Sequence, residues 1–228
     1  MGCSCSREKT ALEEELLEVQ ELVKYPYNCE FVYGVHEKYA NSHNLISAEE
    51  WNEIRESLEI SCHPSVFNFY CGFKNDEGFY NLKKLEILSI LLSQGNTESK
   101  VDILFRVFGG IEVEELHKRK IKKLLIIMTE IAVEHLPKLI IDQREKLNKY
   151  LASLSNSTNK FIENSMKSFD QDNLISQRRF VAYLQSDKDY NLIEPSNLRL
   201  KISMIADKDL FLVTETSDQN ATNPDVTN

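Results

Sequence analysis

The sequence predicts a mainly α-helical protein made of helix-loop-helix units in two lobes, on three observations. Seven glycines and five prolines in 228 residues are too few for an all-β chain, which must turn about every 8 to 12 residues. Leu12, Leu16, Val19 and Val23 recur at helical spacing. Asn44-Leu45-Ile46-Ser47 recurs as Asn173-Leu174-Ile175-Ser176, each copy after a polar loop and before charged residues and an aromatic, Trp51 or Phe180.

The first helix runs from about 10 to 24, opened by a Thr10/Glu13 capping box and stopped at Tyr25-Pro26. Its leucine stripe packs on the body, and Glu13, Glu14, Glu15, Glu18 and Glu21 form its outer face. A second helix spans about 27 to 39, and a third opens at the Asn44-Leu45-Ile46-Ser47 copy. Residues 111–154 hold two helical stretches around His135-Leu136-Pro137, and a mobile segment, Ser153 to Asn159, leads to the second copy. Beyond Pro195, alternating Leu198, Leu200 and Ile202 fit a short hairpin or a last helix, and 215–228 read as a disordered tail. The expected organisation is an anchor (1–9), an N-terminal lobe (10–100), a C-terminal lobe (101–194) and a C-terminal segment with tail (195–228).

Hydrophobic residues at 42% and charged residues at 28% describe a chain that folds. A net charge of -9 argues against nucleic acid, whose phosphates demand an excess of lysine and arginine. No apolar run reaches the roughly 18 residues that span a bilayer. Five cysteines without a C-x-x-C pair suit a reducing compartment, with Cys29, Cys62 and Cys71 expected as buried thiols. The five histidines show no metal-ligand spacing and are expected at the surface or in caps. No phosphate-binding loop, dinucleotide fingerprint, G-x-S-x-G or H-E-x-x-H occurs, so no enzyme is expected.

Met1-Gly2-Cys3-Ser4-Cys5-Ser6 fits M-G-x-x-x-[ST], which predicts myristoylation of Gly2. One myristoyl chain holds a membrane only marginally, with an association constant on the order of 10⁴ per molar. Cys3 and Cys5 are the expected palmitoylation sites that complete the anchor, placing the chain on the cytoplasmic face of a membrane.

A helix, a polar loop with one extended apolar residue, and an exiting helix with an early aromatic resemble the EF-hand. Its calcium form places oxygens at loop positions 1, 3 and 5, glycine at 6 and a bidentate glutamate at 12. With Ile175 at position 8, the loop runs from Ser168 to Arg179, with Asp170 and Asp172 at positions 3 and 5. Asn173 then stands at position 6, where Asn substitutes for Gly at positive φ. Arg179 at position 12 cannot coordinate a cation. Aligned on Ile46, the loop from Tyr39 to Glu50 carries Asn41, His43 and Asn44 and ends on the correct Glu50, without an acidic ligand elsewhere. A fainter unit keeps Gly78 and offers Asn75, Asp76 and Glu77, with Phe73 and Lys84 at positions 1 and 12. In another, Phe105-Arg106-Val107-Phe108 enters, Ile111 to Leu116 exits, and Gly109-Gly110 leaves almost no loop between. The weak metal candidates are therefore Asp170, Asp172, Glu50, Asn75 and Glu77.

The stretch from Leu91 to Phe108, with Gly95-Asn96-Thr97-Glu98-Ser99-Lys100 at its centre, resembles the link between the second and third hands of neuronal calcium sensor and calcineurin B-like proteins. The likeness covers about residues 30 to 185. It implies paired hands, a myristoylated Gly2 and an apolar groove for a partner helix. The favoured expectation is a lipid-anchored adaptor or regulatory subunit that needs no cofactor. The alternatives are a calcium-sensing regulator at the membrane and a structural subunit of a larger assembly. The basic run His117 to Lys123 reads either as a solvated helix face or as a contact with lipid headgroups.

Overall fold

The computed structural model describes residues 11–206 except 42, 141–144 and 188–189. The expected acyl sites Gly2, Cys3 and Cys5 and the tail 215–228 lie outside the described residues. Within them the chain is mainly helical. Helix α1 (Ala11–Gln20) passes into a 3-10 turn, Glu21–Val23, and stops before Pro26, which disfavours helical backbone in the residue ahead of it.

Helix-loop-helix units follow. Helices α2 (Cys29–Glu37) and α3 (Ala48–Ser57) flank the first loop, and α4 (Pro64–Cys71) and α5 (Leu82–Leu92) the second. Helices α6 (Thr97–Gly109) and α7 (Lys118–Glu130) flank the third, and α8 (Glu145–Lys167) and α9 (Gln177–Leu184) the fourth. Asn28, Ser47, Asn81, Asn96 and Ser176 each accept a backbone N–H three residues on, so short polar side chains satisfy donors that the first helical turn leaves free.

Short strands join the units in pairs. Strand β1 (Leu45–Ile46) runs antiparallel to β2 (Tyr80–Asn81), with Ile46 opposite Tyr80. Strand β3 (Glu115–His117) runs antiparallel to β4 (Leu174–Ser176), with Leu116 opposite Ile175. All four facing residues are buried, and each apolar side chain removed from water contributes about 1.5–3 kcal/mol. Further backbone bonds join the paired units: Leu82 N–H donates to the Asn44 carbonyl, Lys118 N–H to Asn173 and Gln177 N–H to Glu114, each at 2.9 Å. The sequence repeat is thus structural, since both copies supply a strand and then a serine N-cap. Trp51 packs on Tyr70 and Tyr80 with ring centroids 4.8 and 5.4 Å apart, while Phe180 packs on Phe105 at 5.9 Å. One continuous apolar core joins both pairs, and α5 runs buried through it from Leu85 onward.

Several expectations are corrected. Residues 111–116 are not an exiting helix. They form a turn and the start of β3, and the basic run makes the exiting helix α7. Ser153 to Asn159 lies inside α8, whose inward residues Leu154, Ser157 and Phe161 hold it to the body. After Glu130 the helix widens into a π turn (Ile131–His135) and tightens into a 3-10 turn (Leu136–Leu139). Pro137 explains the change, because it has no N–H and its ring crowds the carbonyl four residues back.

The C-terminal segment is helical over 195–206 (α10) and buries Leu198, Arg199, Leu200 and Ile202. Glu13 does not belong to the outer face of α1. It is buried with Arg199, whose Nε and Nη2 lie 2.9 and 3.0 Å from its carboxylate oxygens. Tyr150 Oη donates to Glu13 at 2.6 Å, and Arg199 Nη1 donates to the Ala132 carbonyl at 3.2 Å. This cluster ties α1, α8, α10 and the π turn together.

Candidate functional site

The paired loops hold every metal candidate read from the sequence. A cleft of about 620 Å³ opens beside the fourth loop, lined by Glu115, Ser168, Asp170, Asp172 and Arg179 among others. Arg179 folds back over this loop: Nη2 donates to the Ser168 carbonyl at 3.1 Å, and Nε lies 3.8 Å from Asp172. Asp170 is held from the neighbouring unit, where Lys118 Nζ donates to it at 3.0 Å. As exposed ion pairs these are each worth about 1 kcal/mol or less. Their consequence lies in placement, because both carboxylates and one loop carbonyl already face fixed cations. The Lys118 contact is not legible in the sequence, because Lys118 belongs to the neighbouring unit and lies 52 residues from Asp170.

The other loops close on themselves. Asn41 Oδ1 accepts from His43 N–H at 3.0 Å, and its Nδ2 donates to the Leu45 carbonyl at 2.7 Å. Asn75 Oδ1 accepts from Glu77 N–H at 3.1 Å and Phe79 N–H at 2.9 Å. A side-chain oxygen at the third loop position thus satisfies backbone donors in both. Glu50 caps a helix: its Oε2 accepts from Ser47 N–H at 2.7 Å while Ser47 Oγ accepts from Glu50 N–H at 3.2 Å. Lys84 at the end of the second loop pairs with Glu130 of α7 at 2.6 Å. Glu77 is exposed.

The third loop is not missing. It runs from Gly109 to Lys120 when Leu116 is set opposite Ile175, the same length as the others. Gly109, Ile111 and Val113 at its first, third and fifth places offer no side-chain oxygen. A Cβ on Gly109 would sit 2.5 Å from Val113 Cγ1, and Gly110 has φ 91°, so this glycine pair lets the chain fold tightly against itself. Asn44 and Gly78 take positive φ, 53° and 85°, at the sharp turn of their loops. Asn173 is not among the described residues that do, which corrects the expectation for the fourth loop.

Among the described residues no group of three or more His, Cys, Asp or Glu side chains is gathered as a metal centre. The histidines divide. His63 and His117 cap helices and His43 is exposed, as expected, but His36 and His135 are buried. Burial pushes the pKa of each down to about 4. His36 Nδ1 lies 2.9 Å from the Val32 carbonyl, and His135 stacks on Phe73 with centroids 4.2 Å apart. Glu86 is buried on α5, and desolvation raises its pKa to about 7 against the pull of Lys83. Cys29 is buried, Cys71 half-buried and Cys62 exposed, so Cys62 departs from the expected core thiols.

No helix among the described residues is long and apolar enough to cross a membrane. A scan against models of known protein families finds none that matches this chain, and a search of curated proteins finds no match either.

Proposed function

We propose that this chain is an acyl-anchored, EF-hand-like adaptor that binds a helical segment of a protein partner, working by binding rather than catalysis and without calcium. The observation that carries the reading is the fourth loop, where Lys118 pairs with Asp170 and Arg179 lies 3.8 Å from Asp172, the two acids at ligand positions. A removable ion is replaced by permanent cations, so the loop keeps one conformation at every calcium level. The equal loop lengths and the facing residues Ile46/Tyr80 and Leu116/Ile175 support reading the units as paired hands. Asn41, Asn75 and the Glu50 cap supply the closure in the first two loops that a metal would otherwise provide.

In this reading α10 covers the apolar face that receives the partner, and a partner helix enters by displacing it. A basic residue on the apolar side of such a helix would restore the buried counter-charge that Arg199 gives Glu13. Gly2, Cys3 and Cys5 carry the acyl chains. Calorimetric titration of calcium into the full, unacylated chain tests the metal half of the proposal. No binding up to millimolar calcium is expected. Micromolar binding that disappears in a Glu50→Gln, Asp170→Asn, Asp172→Asn variant would overturn it and favour a calcium-sensing regulator. Intact mass after co-expression with an N-myristoyltransferase tests the anchor: one acyl group on the wild type and none on Gly2→Ala.

A further inference from the structure

The exposed side of α7 is basic in a chain of net charge -9. Its first turn carries Lys118, Arg119 and Lys120 and no acid, an arrangement that opposes the helix dipole and does not serve helix stability. Lys122 and Lys123 continue the patch and, like Arg119 and Lys120, are exposed. Lys83 of α5 joins it, lying 4.9 Å over the Phe108 ring. Its pKa is held below the usual value by burial first, with Lys123 and Lys120 adding to the effect against Glu86. Between α7 and α8 lies a cleft of about 400 Å³, walled mainly by carbon from Met166 and the stems of Lys118, Arg119, Lys122 and Lys167. Glu163 and Asp170 are the acids on it, and Asp170 is already paired with Lys118.

We propose that this face of α7 docks on an anionic lipid bilayer, with acidic headgroups over the lysines and acyl carbon against Met166. The inference rests on the acyl anchor of the proposed function and names the second membrane contact. Charge complementarity favours it, and the unfavourable net charge does not oppose it. Screening over about 8 Å in physiological salt lets the membrane sense the nearest face and not the acids on distant ones. The tether also reaches. Glu13 is joined through Arg199 to Ala132, 14 residues after Lys118 along the same helical run, or about 20 Å at 1.5 Å per residue. The stretch 2–10 spans at most about 30 Å when extended, enough to bring an acyl chain on Gly2 into the plane of the patch.

The test is co-sedimentation of the myristoylated full-length chain with phosphatidylcholine vesicles, and with vesicles containing about 30% phosphatidylserine, the inner-leaflet type of anionic lipid. The comparison is an Arg119→Gln, Lys120→Gln, Lys122→Gln, Lys123→Gln variant. These exposed side chains leave the core untouched, and an unchanged melting curve verifies that. Each cation near an anionic surface strengthens binding by about fivefold. The wild type is therefore expected to favour the anionic vesicles at least tenfold, with the preference falling as salt rises. The variant is expected to lose that preference and keep its phosphatidylcholine binding. Equal anionic preference in wild type and variant overturns the proposal. So does a wild type that ignores the vesicles but binds soluble polyglutamate, which would assign the face to an acidic protein. The same comparison in a Gly2→Ala background at low salt isolates the patch, whereas loss of phosphatidylcholine binding reports on the anchor alone.

Discussion

Arg199→Leu should be among the most damaging single substitutions in this chain. The guanidinium is fully buried and makes three hydrogen bonds to Glu13, at 2.9, 3.0 and 3.2 Å, and one to the Ala132 carbonyl at 3.2 Å. Leucine fills the space but takes the buried guanidinium away from the Glu13 carboxylate, and breaking a buried ion pair from one side costs about 3–5 kcal/mol. Glu13→Leu strands the guanidinium and costs a similar amount. The double variant removes both charges together, so neither is left buried without its counter-charge. The double should thus be less harmful than the sum of the singles, by about 3 kcal/mol. Urea unfolding followed through Trp51, the single tryptophan and a buried one, measures this directly. With m near 2–3 kcal/mol/M, each single variant should lower the midpoint by about 1–2 M at unchanged m. Additive losses in the cycle, or a midpoint shift within error, would refute the reasoning.

Glu86→Gln should change how stability depends on pH. The folded pKa of about 7 lies above the ordinary carboxylate value, so the native state holds a proton that the unfolded chain releases near pH 4.5. Stability from this group is complete below about pH 4.5 and is lost as pH rises through 7, a swing of about 3 kcal/mol. The variant should match the wild type at pH 4.5 and exceed it at pH 8, read by urea midpoints at both. Ser47→Ala removes the N-cap of α3 and half of its capping box, and should cost about 1 kcal/mol in the same assay. Gly109→Ala drives a methyl group into Val113 and should cost about 1–3 kcal/mol, whereas Gly34→Ala, in open space on α2, should stay within about 1 kcal/mol of the wild type or gain stability.

Local chemistry made much of the architecture legible. Proline and short polar caps delimit the helices, and the Asn-Leu-Ile-Ser repeat marks an extended residue followed by a helix at both sites, where the structure adds strand pairing and a serine cap. Counting back from Ile175 placed Asp170, Asp172 and Arg179 in one loop, and the structure brings them together there. The third unit is hard to place from sequence because its first, third and fifth positions, Gly109, Ile111 and Val113, carry no oxygen, and Ile111 to Leu116 reads as an exiting helix once the glycines are taken as a hinge. Its register appears only through Leu116 facing Ile175, a long-range pairing. Glu13 reads as an outer residue because it shares α1 with Glu14, Glu15 and Glu18, while its partner lies 186 residues away. The periodicity of one helix cannot reveal a charge satisfied by another. The seeming mobility of Ser153 to Asn159 came from composition, whereas Leu154 and Phe161 anchor that stretch from within.

The measurement that bears most directly on the central claim is a calcium titration of a Ser168→Asp, Arg179→Glu, Lys118→Gln variant beside the wild type. The changes place an acid at the first loop position and the bidentate glutamate at the twelfth, and they remove both cations from Asp170 and Asp172. If the fourth loop is a hand whose ion has been replaced by side chains, the variant should bind calcium tighter than about 1 mM while the wild type gives no binding heat. A variant as silent as the wild type, or a wild type that binds at micromolar calcium, would contradict that claim.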